Sequence, residues 1–394
     1  MRYRLIPIAA VLVLSACGSE PSTTAAGPAA TTPAGPASPS AAPASPSAGC
    51  SGGSAGAAFA GLGANPLTDV QFISPSQGWV VGQRSILATG NGGATWTAQK
   101  RGDLNLTSVD FVSSKVGWAV GPGTLLGTTD GGQHWTALPE PCPQIHSVHF
   151  LSATTGFAIA ARGGSQAAWA TIPPTGGVVL STANGGRSWQ PVAAPANAQS
   201  VCFSGTQAGW LGAGGKLYYS DSGGRSWTLQ AKGPSGPAAQ GAMQVQCAQD
   251  AAWGLDVGPG AAMSQEPHIG YHATPGAATP IFAEQYFPHP GVAVHAEPPG
   301  SYAGPVSALT DSAAVFIDSC PACGWGTAPW DLVTAGGATL TREGTVGGIT
   351  QANGASFLSP ADGWVVGVER NSHGAAPRIV RTQDGGRSWQ VQFR

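Results

Sequence analysis

The sequence predicts an all-β fold, a single β-propeller of seven four-stranded blades, on three observations. The first is a spacing. A Phe is followed seven positions later by an aromatic residue, usually the Trp of a Gly-Trp pair, then by Thr or Ser, then seven later by another Trp. Phe72, Trp79, Thr89 and Trp96 fit it, as do Phe111, Trp118, Thr128 and Trp135, and Phe203, Trp210, Ser220 and Trp227. With insertions before the third point it returns as Phe150, Phe157, Thr182, Trp189 and as Phe357, Trp364, Thr382, Trp389. The second observation is that each unit alternates short apolar runs with Gly turns, the pattern of consecutive antiparallel strands. The third is that no long helical period occurs between about residue 58 and 394, and a fixed period in the 20 to 50 range signals a repeat architecture.

The elements follow in chain order. Arg2 and Arg4 precede an apolar stretch from Leu5 to Leu14, too short to span a bilayer and read as a secretory signal over residues 1–16. It ends Leu14-Ser15-Ala16-Cys17, which resembles the lipobox of bacterial lipoproteins; that resemblance implies cleavage before Cys17 and lipidation of its thiol. Residues 17–57 are almost wholly Ala, Pro, Ser, Thr and Gly, with Glu20 the only charge, so they hold too little apolar bulk for a core and read as a tether. Roughly forty such residues reach on the order of 35 Å as a coil and ~100 Å if extended.

Residues 58–394 form the propeller. Five blades are explicit, and the stretch between Trp227 and Phe357 has room for two worn ones. Val245 to Val257 and His268 to Glu284 supply one; Val306 to Ile317 and Trp330 to Arg342 supply the other, with Leu340 in place of the closing Trp. Seven blades of about 48 residues fit the propeller range better than six or eight.

The turn before each closing Trp is the sharpest local motif. Thr128 to Trp135 and Thr382 to Trp389 carry Asp130 and Asp384, and Asn91, Asn184 and Ser222 take that place before Trp96, Trp189 and Trp227. A short side-chain oxygen that accepts backbone N–H groups, with Gly at positive φ, makes a tight turn, and the Trp buries its ring. These segments match the Asp-box, or BNR repeat. The turn chemistry accounts for every residue in them, so they are read as structural and no residue is assigned to catalysis. Asp-box propellers include sialidases, xyloglucanases, the sortilin ectodomain and the photosystem II assembly factors. The paired strands at Phe111 to Gly121 and Phe357 to Gly367 look most like the last group, whose resemblance implies a seven-bladed propeller and, from its cyanobacterial members, a lipoprotein.

Composition limits the function classes. Charged residues make up 9% of the chain and the net charge is -2, which supplies no basic face for nucleic acid. Sialidases need a triad of Arg and an Arg-Ile-Pro signature that is missing, and Arg187, Arg225 and Arg387 sit inside the boxes. Glu266, Glu284, Glu297, Asp318, Asp331 and Glu369 could supply a glycosidase pair, but each is expected on a solvated loop. His268, His272, His289, His295 and His373 fall in or beside insertions, without a compact ligand pattern, so no metal and no cofactor is expected. An exported chain can oxidise its cysteines. Cys320 and Cys323 suit a local disulfide, and Cys202 could bridge Cys247 on the next blade, with Cys142 its rival and Cys50 free in the tether.

The insertions fall between second and third strands or between blades, and in an up-and-down blade those connections share one face, opposite the Asp-boxes. Arg162 to Thr175, Val257 to Pro267, Glu284 to Gly304, Asp318 to Pro329 and Glu369 to Ala376 therefore gather on one side. They carry Arg162, Trp169, Tyr286, Phe287, Trp325 and Arg370, types enriched where proteins bind. The function expected is a non-catalytic, monomeric binding or assembly module, lipid-anchored on the outer face of a bacterial cytoplasmic membrane, with a protein or envelope component as partner. The alternative is a carbohydrate-binding or glycoside-hydrolase-like propeller.

Overall fold

A computed structural model describes residues 65–141, 144–161, 177–232, 241–258, 266–283, 297–320, 326–334 and 341–393. Among these residues twenty-eight strands form seven antiparallel sheets, and within each the strands pair in chain order. Blade one comprises β1 (Leu67–Phe72), β2 (Gly78–Gly82), β3 (Ser85–Thr89) and β4 (Thr97–Arg101); blade two comprises β5 (Ser108–Phe111), β6 (Gly117–Gly121), β7 (Thr124–Thr128) and β8 (Thr136–Ala137). Blade three holds β9 (Gln144–Phe150), β10 (Gly156–Ala161), β11 (Val178–Thr182) and β12 (Gln190–Pro191). Blade four holds β13 (Ala198–Phe203), β14 (Gly209–Ala213), β15 (Lys216–Ser220) and β16 (Thr228–Lys232). The worn blades are β17 (Ala242–Ala248), β18 (Ala251–Val257), β19 (His268–Thr274), β20 (Ala277–Ala283), then β21 (Val306–Thr310), β22 (Ala313–Ile317), β23 (Pro329–Thr334), β24 (Thr341–Thr345). Blade seven is β25 (Gln351–Phe357), β26 (Gly363–Asn371), β27 (Gly374–Thr382) and β28 (Gln390–Phe393). The fold is the seven-bladed propeller that the spacing predicts.

The repeated residues build the seams between blades. Phe72 pairs across its hairpin with Gly78, and Phe111 with Gly117. A Cβ on either Gly would lie 2.6 or 2.4 Å from the Phe ring, which explains the Gly before Trp. The ring then meets the second-strand aromatic of the preceding blade. Trp79 stacks on Phe111 at 3.5 Å, Trp118 on Phe150 at 3.4 Å, and Phe157 on Phe203 at 3.8 Å. The closing Trp of the same blade approaches edge-on, as Trp135 does to Phe111 at 5.9 Å. Each core thus lies between sheets, and the second strands β2, β6 and β14 are buried along their whole length.

The ring closes by packing, since blades one and seven each contain their own four strands. Trp364 stacks on Phe72 at 3.5 Å, repeating the other seams. Arg381 adds to this one: its guanidinium lies 4.3 Å over Trp364, forks onto Asp362 at 2.9 and 3.0 Å, and donates to the carbonyl of Gly92 at 3.1 Å.

Candidate functional site

The Asp-box turns lie with the first hairpin turns on one face of the ring, as the Gly92 N–H donating to the Ser76 carbonyl shows. In blade two Thr128 Oγ1 donates to Asp130 Oδ1 at 2.9 Å, and that oxygen accepts the His134 N–H at 2.9 Å. Gly131 and Gly132 take φ of 77° and 88°, which a Cβ would strain. The bonds from His134 hold the Asp130 carboxyl down at about 2. Asn91, Asn184 and Asp384 accept the equivalent N–H at 2.9 Å, and Ser222 does so at 3.0 Å. These oxygens are committed to their own turns. Trp96, Trp135, Trp189, Trp227 and Trp389 pack behind them.

A second candidate is the axial cavity, about 400 Å³, walled by the innermost strands β1, β5, β9, β13, β17, β21 and β25. These strands are sheet edges, whose unpaired N–H and C=O groups need partners. The side chain just before each Phe supplies them across the seam. Gln71 accepts the Phe111 N–H at 2.5 Å, Asp110 that of Phe150 at 2.5 Å, and Ser356 that of Phe72 at 3.0 Å. His149 Nε2 donates to the Phe203 carbonyl at 2.8 Å. Asp69 likewise accepts the Val109 N–H at 2.9 Å, and desolvation in the wall pushes its carboxyl up to about 7. Burial raises Asp110 too, with the nearby His149 pulling back. At that repeat position Cys202 instead reaches Cys247 of the next blade, in a disulfide with Cα atoms 5.7 Å apart. One seam is therefore covalent where its neighbours are hydrogen-bonded. The signal was in the sequence as a column of polar residues at one repeat position, which the reading of the aromatic columns passed over.

The opposite face carries the long connections. Of the residues singled out there, Arg370 is described and lies in β26 opposite Ala375, so Glu369 to Ala376 is a lengthened hairpin and not an irregular loop. Its guanidinium donates to Gln351 Oε1 at 3.0 Å, and its N–H to Thr350 Oγ1 at 2.9 Å. The ladder runs past the expected strand end, Val368 pairing with Pro377 and Asn371 with Gly374. Arg162, Trp169, Tyr286, Phe287, Trp325, Cys17 and Cys323 lie outside the described residues, as do Cys50 and Cys142. Cys320 is disulfide-bonded.

Two expectations on this face are corrected. Glu266, Asp318 and Asp331 are buried, at 6%, 0% and 2% exposure, where solvated loops were expected. His268, placed by the sequence in or beside an insertion, is 1% exposed in β19. Its Nδ1 lies 2.7 Å from the Glu266 carbonyl and its Nε2 3.1 Å from Asp318 Oδ2. The same Asp318 oxygen accepts the Gly300 N–H at 3.0 Å, and Glu266 Oε2 accepts that of Ala303 at 3.1 Å. Both ring nitrogens of His268 are engaged, which leaves neither to act as a general base. His272 Nε2 donates to the Asp311 carbonyl at 2.8 Å. Among the described residues no group of three or more His, Cys, Asp or Glu could hold a metal ion.

Comparison with known proteins agrees with this architecture. Residues 62–196 match the family model of the photosynthesis system II assembly factor YCF48. Solved structures similar to the chain include YCF48 bound to D1 peptide, at 17% identity over 84% of this chain and 81% of that one, with a TM-score of 0.41. Another is YCF48 from Cyanidioschyzon merolae, at 15% identity over 73% and 84%, with a TM-score of 0.45. A chain of the mitotic checkpoint complex aligns at 9% identity over 81% and 87%, with a TM-score of 0.52, a likeness of fold alone. No curated protein matches. The chain is a seven-bladed Asp-box propeller that resembles, over residues 62–196, the photosystem II assembly factor family.

Proposed function

We propose that the protein is a non-catalytic binding or assembly module that engages a protein or envelope partner through its long-loop face. The observation that carries this reading is the contrast between faces. On the Asp-box side the short-chain oxygens are spent on their own turns, and the channel side chains are spent on the edges of neighbouring strands. The other side gathers the connections that vary in length from blade to blade, and loops on a rigid scaffold are where binding residues are placed. The match of residues 62–196 to an assembly-factor family supports the same reading.

In this proposal the protein is exported, cleaved before Cys17 and held as a monomer on the outer face of the cytoplasmic membrane by lipid on that residue, with residues 17–57 as tether. Leu14-Ser15-Ala16-Cys17 and the Ala/Pro/Ser-rich composition behind it support the anchor. Mass spectrometry of the mature N-terminus tests it, and a soluble, unlipidated, full-length product would overturn it. The immobilised domain, exposed to solubilised membrane proteins and to cell-wall glycans, tests the partner class. Capture of a defined protein that weakens in Tyr286→Ala, Phe287→Ala and Arg370→Ala, but not in Arg187→Ala or Arg225→Ala, is the expected result. Capture lost only with the last two would move the site to the box face, and selective glycan retention would favour a carbohydrate-binding propeller.

A further inference from the structure

Three long connections of the loop face meet at one buried cluster. Glu266 and His268 flank the end of the β18–β19 connection, Asp318 begins the β22–β23 connection, and residues 300–303 belong to the link between blades five and six. The backbone of that link runs as a strap between the two blades. The Glu266 N–H donates to the Ser301 carbonyl at 2.8 Å, and Tyr302 and Ser319 exchange N–H to carbonyl bonds of 3.0 and 2.8 Å. The two carboxylates take the remaining strap amides, Asp318 that of Gly300 and Glu266 that of Ala303.

The partners of His268 favour its charged form. A carbonyl oxygen can only accept, so Nδ1 carries a proton, and Nε2 faces the Asp318 oxygen that also accepts from Gly300. A second ring proton gives each nitrogen an acceptor and pairs an imidazolium with a carboxylate, both side chains wholly buried. Among the described residues the other titratable groups on the elements around it are Glu266 on its own connection, Asp331 on the Asp318 face of β23, and Asp256, turned to the other face of β18 from Val257, which pairs with His268. From β20 only the Phe282 ring approaches, edge-on at 6.2 Å. Among the described residues no ion pair joins Asp318 to a cation other than the ring. Removing the ring proton leaves a nitrogen lone pair facing either the Glu266 carbonyl or a buried carboxylate.

We propose that the His268–Asp318 pair is a pH-sensitive latch that holds the 300–303 strap on blades five and six, and that it opens when the imidazolium loses its proton. This rests on the reading of the loop face as the working surface, since the latch then governs the order of three of its connections. Burial alone would push the imidazole down, but the Asp318 charge and hydrogen bond, with Glu266 behind them, hold it above its ordinary value. The sign follows: the folded ring keeps its proton longer than the unfolded one, so the stabilisation is complete below about 6.5 and is lost as pH rises through the folded value.

Hydrogen exchange of the intact propeller reads this directly. Protection of the Gly300 and Ala303 amides, compared with Gly132 and Gly386 in the box turns, is expected to fall as pH rises from about 6.5. The fall is about ten-fold for each unit by which the pair raises the ring. The imidazole nitrogens of His268 should titrate over the same interval by NMR. In His268→Gln the strap amides should lose protection at every pH and show no step. Should that variant not fold, the wild-type ring titration and exchange ratio still decide. Strap amides that track the box amides throughout, or a ring that does not titrate with them, overturn the latch. The readout needs no ligand, so it can fail separately from the loop-face reading. That reading fails if the latch opens while capture of the membrane partner is the same below and above the step.

Discussion

The seams around blades seven, one, two and three solve the same problem as those around blades five and six, with different chemistry. In the regular seams a second-strand Trp stacks on the Phe of the next blade, and its indole donates to that blade's Asp-box. Trp79 bonds the Gly131 carbonyl at 3.2 Å, Trp118 that of Gly185 at 3.0 Å, and Trp364 that of Gly92 at 3.1 Å. Box and Trp are therefore two halves of one joint. Where the next blade has no box, or the second strand has no Trp, the joint changes. Trp210 keeps its place but its buried N–H has no partner, and the Cys202–Cys247 bridge crosses that seam. Trp253 donates to Thr310 instead, at 2.9 Å. Into the seam before blade seven comes Trp330 from a third strand, 6.3 Å from Phe357, its N–H also unpartnered. A propeller tolerates the loss of a box or of its Trp when another bond or ring spans the same gap.

Truncation should separate the two kinds of seam most sharply. Trp364→Ala removes a buried ring, a stack, a hydrogen bond and the platform under Arg381, and is expected to cost about 3 to 5 kcal/mol in denaturant unfolding. A cost near that of a surface change would break the view that ring closure rests on this joint. Next comes the pH dependence of the irregular half. Asp256, 4% exposed with one carboxyl oxygen unpartnered, is pushed up to about 7 by burial. Because the folded state holds this proton after the unfolded state has released it, stability should fall as pH rises from about 4 to 7, by at most ~4 kcal/mol. Asp256→Asn should flatten that slope, and an unchanged slope in melting curves would point to other groups.

The disulfide closes 45 residues of chain, so reduction or Cys202→Ala with Cys247→Ala should cost about 2 to 4 kcal/mol. If the bridge stands in for a missing joint, the loss will speed exchange in blades four and five before the rest. Uniform loosening would count against that. The smallest effect is the most diagnostic of the joint itself. Trp118→Phe gives up an indole bond and should lose about 1 kcal/mol more than Trp210→Phe, whose N–H bonds nothing. Equal losses in paired unfolding curves would remove the distinction between the seams.

The regular joints were legible because Phe111, Trp118, Asp130 and Trp135 answer needs that recur in every such blade, so one physical solution appears as a period. The worn blades were legible as strands, through alternation at Val245 to Val257 and Val306 to Ile317, but not as a site. His268 and Asp318 are 50 positions apart and each occurs once, so no spacing joined them, and their charge argued for solvent. Only a fold that brings β19 and the end of β22 together reveals that the two side chains meet. Arg370 shows the converse error, a strand taken for a loop because Glu369 to Ala376 has turn-rich composition while the backbone pairs to Asn371 and Gly374.

Because every sheet is made from one uninterrupted stretch of chain, the repeat in the sequence and the sheet in the fold coincide. Leu67 and Phe393 border the same groove, so a short linker there and a cut between β4 and β5 would yield a permuted chain with the same seven sheets. Gaining or losing a repeat would change the size of the ring without unpairing any strand. Such a scaffold can drift at blades five and six, exchanging its repeated joint for a bridge or a borrowed ring, while the remaining repeats keep the circle shut.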